Sequence, residues 1–346
     1  MMRPSLRLVT LTAALMSGAV YATPKAADVP MSPLMPTAEQ SAQVQNPAQL
    51  AYNAQDTRLD DEQRAEALMA LANYPSQNAL VAVARGLKDD SAQIRHGAVV
   101  GAEAYQIEHR WRMVSPLLTD EAESVRLRAT INLVRDYSAL TPEQQSVMAA
   151  PVDALIAYLA TQGDAESSLL MANVYRWTKQ WSLADPIYRT LIEQDAHYTS
   201  AWLAYADNYR GQQKNAQAIT ILDQAIDSNP DTAALYYSKS LALVRLDDKT
   251  QAAQEIDVAA NLAKDNSYYW YLNGVLQEAL DIDKSTKSFE TAYLISGAPE
   301  QLYALCDIYV RYGHEKSQPC MDELSQVAPA YVLDELKSKQ NANVTP

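Results

Sequence analysis

From residue 165 onward the chain repeats a pattern of large, small and polar positions every 34 residues. Counting from Ala165, the unit 165–198 carries Tyr175 at position 11, Ala184 at 20, Tyr188 at 24 and Leu191 at 27. The unit 199–232 carries Trp202 at 4, Ala206 at 8, Tyr209 at 11, Ala218 at 20, Ala225 at 27 and Pro230 at 32. The unit 233–266 places Tyr236, Ser240, Leu243, Ala252, Ile256 and Ala259 in matching positions. This spacing predicts two antiparallel helices per unit. Small residues let the two backbones approach, and large ones fill the space between consecutive hairpins. One hairpin cannot bury its apolar face alone, so the units must stack. Trp270 and Gly274 hold positions 4 and 8 of a fourth unit. Phe289 and Ala292 arrive one residue early there, which predicts a shorter turn around 281–284. A fifth unit sets Leu302, Leu305 and Tyr309 on one face, turns at Gly313 and closes at Ala328 and Pro329.

A second pattern precedes the first. Between about residues 59 and 162 the period is 31: Arg64, Arg95 and Arg126 align, as do Ala67, Ala98 and Ala129, and Leu71, Ala102 and Leu133. Apolar residues at helical spacing flank each Arg. Asp61, Asp90 and the Asp120–Glu121 pair precede the first helices, where they can cap or favour the helix dipole. A repeating Arg invites a binding role, but pairing with the acidic turn of the neighbouring hairpin is the stronger reading, giving a ladder along the stack. Thr141, Pro142 and Gln144 predict a capping box with Pro at the first helical position. That helix, and a second one predicted from Pro151 to Ala160, join the two arrays without a flexible linker.

The 34-residue unit resembles the tetratricopeptide repeat, with large residues at 4, 11 and 24, small ones at 8, 20 and 27, and Pro near 32. The 31-residue unit resembles a short HEAT-type repeat. Together they imply an all-α fold, a right-handed α-solenoid of stacked helical hairpins. The divisions expected are a HEAT-like block at 48–162, tetratricopeptide repeats at 163–339 ending in a cap helix over 331–339, and a frayed tail at 340–346. The tetratricopeptide resemblance also implies a concave groove lined by positions 2, 5, 9, 12 and 13 of each unit. On this chain those positions hold Asn173, Arg176 and Trp177, then Leu203, Asp207 and Arg210, then Tyr237, Leu241 and Arg245, and finally Tyr268, Tyr271 and Glu278. Aromatic residues mixed with Arg suit a peptide or protein partner; a solvated inner wall is the other reading. Members of the family that clamp a C-terminal carboxylate use Lys at position 5 and Asn at 9 of the first unit. Asn173 fits, but position 5 is Leu169, so that clamp is not expected. The order HEAT-like block then tetratricopeptide units, with the stretches MVSPLLTDE at 113–121, VRLRA at 125–129 and AWLAYADNYR at 201–210, resembles the C-terminal portion of exported bacterial multihaem cytochrome c proteins. The paired Cys-x-x-Cys-His motifs of those proteins are missing from this sequence.

At the other end, Arg3 and Arg7 precede an apolar run over 8–20 that closes in small residues. That predicts a signal peptide at 1–22, with an uncleaved anchor as the alternative, and a soluble protein exported to a periplasm. Residues 23–47, rich in Pro, Ala, Gln and Ser, predict a disordered leader. Losing the two Arg of the first 22 residues takes the net charge from −14 to −16. Such acidity repels phosphate backbones and disfavours nucleic acid. It favours a basic or neutral partner, although acidity also serves solubility alone. The two cysteines, Cys306 and Cys320, fall on facing helices of the last hairpin and invite a disulfide in an oxidising compartment; two reduced, buried thiols are the alternative. Closing so short a loop contributes on the order of 3 kcal/mol in the chain-entropy model.

The four His are scattered without a second ligand at i+3 or i+4, so no metal site is expected. Phosphate-cradling Gly-rich loops and a Gly-x-Ser-x-Gly elbow are missing from the sequence, and the carboxylate pairs fall at predicted turns. Phe occurs once and Tyr twenty-one times. Tyr buries a large surface yet keeps a hydroxyl that needs a partner; the register places Tyr175, Tyr188, Tyr209, Tyr236 and Tyr309 in the core. The function expected is a non-catalytic periplasmic protein-binding scaffold or assembly factor without cofactor, its client another exported protein or peptide. The cytochrome resemblance implies a cytochrome or respiratory complex as that client. The alternative is a structural subunit of an envelope machine for polysaccharide export or outer-membrane assembly.

Overall fold

The computed structural model of the chain describes residues 46–343. The signal peptide expected at 1–22, and the expected leader apart from its last two residues, lie outside the described residues. Among these are eighteen α-helices and no strand. Each packs mainly on its close neighbours in sequence, which makes the fold an α-solenoid of stacked hairpins.

The first block comprises α1 (Pro47–Asn53), α2 (Asp61–Ala70), α3 (Gln77–Gly86), α4 (Ala92–Gly101), α5 (Ile107–Val114), α6 (Glu123–Val134) and α7 (Pro142–Leu159). The starts of α2, α4 and α6 are 31 residues apart. α4 packs between α2 and α6, and its approach to α2 is backbone against backbone. A Cβ on Gly97 would stand 2.6 Å from the Ala65 carbonyl oxygen, and one on Gly101 2.5 Å from that of Leu68. Only glycine fits at these two positions.

The Arg row forms the expected ladder. Arg64 pairs with Asp89 at 2.8 Å. Arg95 grips Asp120 through two bonds of 2.8 Å and donates from Nη1 to the Asp89 and Asp90 carbonyls. Arg126 donates to the Asp120 and Glu121 carbonyls. Each side chain thus ties an acidic turn to a helix. Asp61 lies in the first turn of α2, where it favours the helix dipole, but the cap and the Arg64 partner are each one residue earlier than the acids expected there. Asp60, not Asp61, caps α2 by accepting from Gln63 N–H, and Asp89, not Asp90, faces Arg64. A cap sits outside the helix in extended conformation, which excludes Asp61, the first helical residue. The Arg95 guanidinium holds the Asp120 carboxyl below the usual carboxylate range.

The Thr141–Gln144 capping box forms with both bonds present. Two helices were expected after it. Instead α7 runs unbroken with Pro151 inside it, because Met148, Val152, Leu155 and Leu159 form one buried stripe on both sides of the proline. Burial of that stripe outweighs the roughly 3 kcal/mol that an interior proline costs.

The second block holds five hairpins. Their first helices are α8 (Ala165–Trp177), α10 (Thr199–Arg210), α12 (Ala233–Arg245), α14 (Ser267–Gln277) and α16 (Pro299–Arg311). Their second helices are α9 (Trp181–Gln194), α11 (Asn215–Ser228), α13 (Lys249–Leu262), α15 (Ile282–Ser296) and α17 (Ser317–Leu324). The first four starts keep the 34-residue period, and α15 begins one residue early, as the displaced Phe289 predicts. The small residues meet across the first four hairpins. Ala172, Ala206, Ser240 and Gly274 are all buried on the first helices, as are Ala184, Ala218, Ala252 and Ser285 on the second. The two Ser hydroxyls donate across the crossing, Ser240 to the Ala252 carbonyl at 2.8 Å and Ser285 to that of Gly274 at 2.6 Å.

Three first helices end with a non-glycine residue in the left-handed region: Lys179, Gln213 and Asp247, at φ near 60°. Gly313 takes the same place in the fifth hairpin. The next residue's N–H then reaches five positions back, as in Gln180 to Tyr175 and Lys214 to Tyr209, closing a Schellman turn. The fourth hairpin, one residue shorter, lacks this turn. Between units, an aromatic at position 4 pins the preceding loop. Trp202, Tyr236 and Trp270 each donate to the carbonyl six residues earlier, a role Phe cannot fill.

Cys306 and Cys320 form a disulfide that joins α16 to α17, with Cα atoms 5.4 Å apart. The last helix, α18 (Ala330–Asn343), runs past the expected 331–339 cap and into the expected tail. It packs on α16 with Leu336 fully buried.

Two outcomes are expected. Arg95→Leu leaves Asp120, 7% exposed, as a buried uncompensated charge and costs about 3–5 kcal/mol in urea unfolding. Because the folded Asp120 value is depressed, its contribution is full above pH about 4 and fades as pH falls through the folded value; Asp120→Asn removes that part of the acid sensitivity. Gln213→Gly relieves left-handed strain and raises stability by about 0.5–1 kcal/mol, read as a higher urea midpoint.

Candidate binding face

The core stripe of each first helix runs through positions 4, 8 and 11. Adding one residue turns the stripe by about 100°, and positions 5, 9 and 12 line a second, more polar face. The stacking of α8, α10, α12, α14 and α16 sets these faces in a row.

The structure brings one group of the expected residues together at the N-terminal end of this row. Asp207 on α10 pairs with Arg210 one turn further on, and Arg176 on α8 approaches the same carboxylate at 3.9 Å. Arg245 on α12 faces Arg210, Asp207 and Tyr237. Its Nη1 donates to the Leu241 carbonyl at 3.1 Å, and its side chain is exposed. Partial burial and then the Arg210 charge push the Arg245 guanidinium below its ordinary value. Leu203 and Leu241, both half-buried, lie on the same helix face.

Tyrosines continue the row. The Tyr237 ring stacks on Tyr269 with centroids 4.9 Å apart and meets Tyr268 edge-on at 6.1 Å. Tyr271 meets Phe289 edge-on at 5.7 Å. Burial pushes the Tyr237 and Tyr271 hydroxyls up. At the far end Glu278 accepts from Arg311, which also pairs with Asp307.

Four of the expected residues serve the fold more than the surface. Asn173 is buried, and the Tyr188 hydroxyl donates to its Oδ1 at 2.8 Å. A buried phenol needs an acceptor, and position 9 of α8 supplies it. Tyr237 is 7% exposed beneath its tyrosine neighbours. Trp177 packs against the core of the first block, and Tyr271 against the C-terminal core. Leu169, the residue that excludes the carboxylate clamp, is itself a core side chain.

Tyr303, Asp307 and Arg311 were not expected, although counting from Pro299 puts them at positions 5, 9 and 13 of the fifth unit. There α18 covers the row. Its Glu335 accepts from the Tyr303 hydroxyl, and its Lys339 pairs with Asp307 at 2.9 Å. Among the described residues no group of three metal-capable side chains converges, and no helix is long and apolar enough to cross a membrane.

No family model matches this chain, and no curated protein matches it in sequence. Solved structures that it resembles include MamA, at 17% identity and a TM-score of 0.38 over 51% of this chain and 98% of that one. YrrB, a TPR protein with an unusual peptide-binding site, gives 18% and 0.42 over 53% and 96%. PilF of Pseudomonas aeruginosa gives 14% and 0.42 over 62% and 97%.

The Asn173 placement is testable. Tyr188→Phe removes the shorter hydrogen bond to the buried Oδ1, leaving Arg176 Nη2 at 3.5 Å, and should cost about 0.5–1.5 kcal/mol in unfolding while leaving ligand binding to the face unchanged. Lost binding at unchanged stability would return Asn173 to the surface.

Proposed function

We propose that this chain is a non-catalytic protein-binding scaffold or assembly factor, exported to a periplasm, that holds an extended segment of another exported protein along its first-helix face. One observation carries the reading: guanidiniums, one shared carboxylate and stacked tyrosines lie in sequence on α8, α10, α12 and α14. Aromatic and Arg side chains are the groups that anchor protein partners. Rigid hairpins hold them in place, so little conformational freedom is lost on binding. A HEAT-like reading of the first block, and a cytochrome or another respiratory component as client, rest on the sequence resemblance alone.

The test uses a photo-crosslinking amino acid placed at Tyr268, on the row, or at Val258, exposed on α13. Adducts with an exported protein are expected from position 268 and not from 258. The protein recovered from the exported fraction should begin at Thr23. Adducts from 258 alone would end the assignment of the face, and recovery in the cytoplasm with residues 1–22 intact would end the assignment of place.

A further inference from the structure

The acidity of the whole chain favours a basic or neutral ligand, yet the open part of the row is locally basic. Arg176, Arg210 and Arg245 reach it from three successive first helices, and Asp207 stands among them with a single carboxylate. Arg245 has no ion pair within 4 Å among the described residues; its one side-chain bond is to its own helix. Guanidiniums gathered around one shared carboxylate leave a surplus of positive charge.

Magnitude decides which charge a ligand meets. At physiological salt the Debye length is about 8 Å, so exposed carboxylates further away than this are screened. Guanidiniums in direct contact are not. At the other end Lys339 of α18 pairs with both Asp307 and Glu335, and two carboxylates against one ammonium leave no positive surplus there. Between the two, Tyr268 is half-buried and leans edge-on to Tyr237, offering an apolar ring beside the basic cluster.

The geometry points to an extended acidic peptide as the ligand of this face, its Asp or Glu carboxylates seated on Arg245 and Arg210 and a neighbouring apolar side chain laid on Tyr268. This rests on the binding role proposed above for the same face. Planar guanidinium and carboxylate pair through two parallel bonds, and Arg is the residue suited to that geometry. The tyrosine ring adds sequence-tolerant contact.

The test is a fluorescence-anisotropy titration of the full chain against three labelled, degenerate nonapeptide libraries, with Glu, Gln or Lys fixed at alternate positions. In about 0.15 M salt, where distant charges are screened, the Glu library should bind roughly tenfold tighter than the Gln library. Arg245→Gln should remove most of that difference, and Arg245→Glu, which leaves two guanidiniums against two carboxylates, should abolish it. Arg245 is exposed, so both variants should keep the wild-type melting curve. Equal binding of the Glu and Gln libraries, or a Glu preference untouched by Arg245→Gln, overturns the acidic ligand. If in that case Tyr268→Ala weakens binding of every library, the groove itself stands. Absence of binding by all three libraries overturns both readings.

Discussion

Two helices can lie backbone against backbone only where neither presents more than a methyl or hydroxymethyl group at the crossing. The first four hairpins of the second block meet this demand with Ala, Ser or Gly on the first helix facing Ala or Ser on the second, and the fifth joins Cys306 to Cys320 instead. Gly97 and Gly101 meet it in the first block, where even a methyl would strike the opposing backbone. The rest of the architecture follows from that proximity. A tight hairpin leaves its large residues pointing outward, so Tyr188, Leu222, Ile256 and Phe289 become the filling between units. The stripe one residue further round each first helix is left partly open: Leu169, Asn173 and Tyr237 on it are buried, whereas Leu203, Asp207 and Arg210 stay half-exposed.

Polar groups do specific work inside this apolar frame. The preference for Tyr and Trp over Phe has an account in their hydroxyls and indole N–H groups. Trp202, Tyr236 and Trp270 pin loops, Tyr188 holds Asn173, Tyr209 donates to Asp185 and Tyr309 to Glu290. In the first block the Arg ladder does the equivalent work by stitching each acidic turn to its neighbour. Arg110 adds a further buried stitch, donating to the Asn132 carbonyl and pairing with Asp136. These bonds favour one register of the stack over its alternatives, because a slip would leave buried donors unpaired.

Charge in this protein has to be read at two scales. Summed along the chain it is acidic, which describes solubility and long-range repulsion. Along the first-helix row the sign reverses around Arg245, and within a Debye length that local sign governs what can dock. A ligand class inferred from net charge alone would therefore have the opposite sign to the one that the proposed face favours.

The sequence by itself determined the hairpins. The 34- and 31-residue periods, the early Phe289, the capping box at Thr141, the pairing of Cys306 with Cys320 and the Arg ladder were all legible. Each depends on spacing along the chain, and helical spacing converts directly into which residues share a face. Tertiary structure decided the rest. Pro151 stayed inside α7 because a buried stripe on both sides outweighed a local penalty. Asn173 left the groove because Tyr188, fifteen residues away, needed its acceptor. Trp177 and Tyr271 were drawn into neighbouring cores, and α18 settled over Asp307. A one-dimensional register says which way a side chain points but not what arrives opposite it. That is set by how neighbouring helices pack and by the cost of leaving a buried polar atom without a partner.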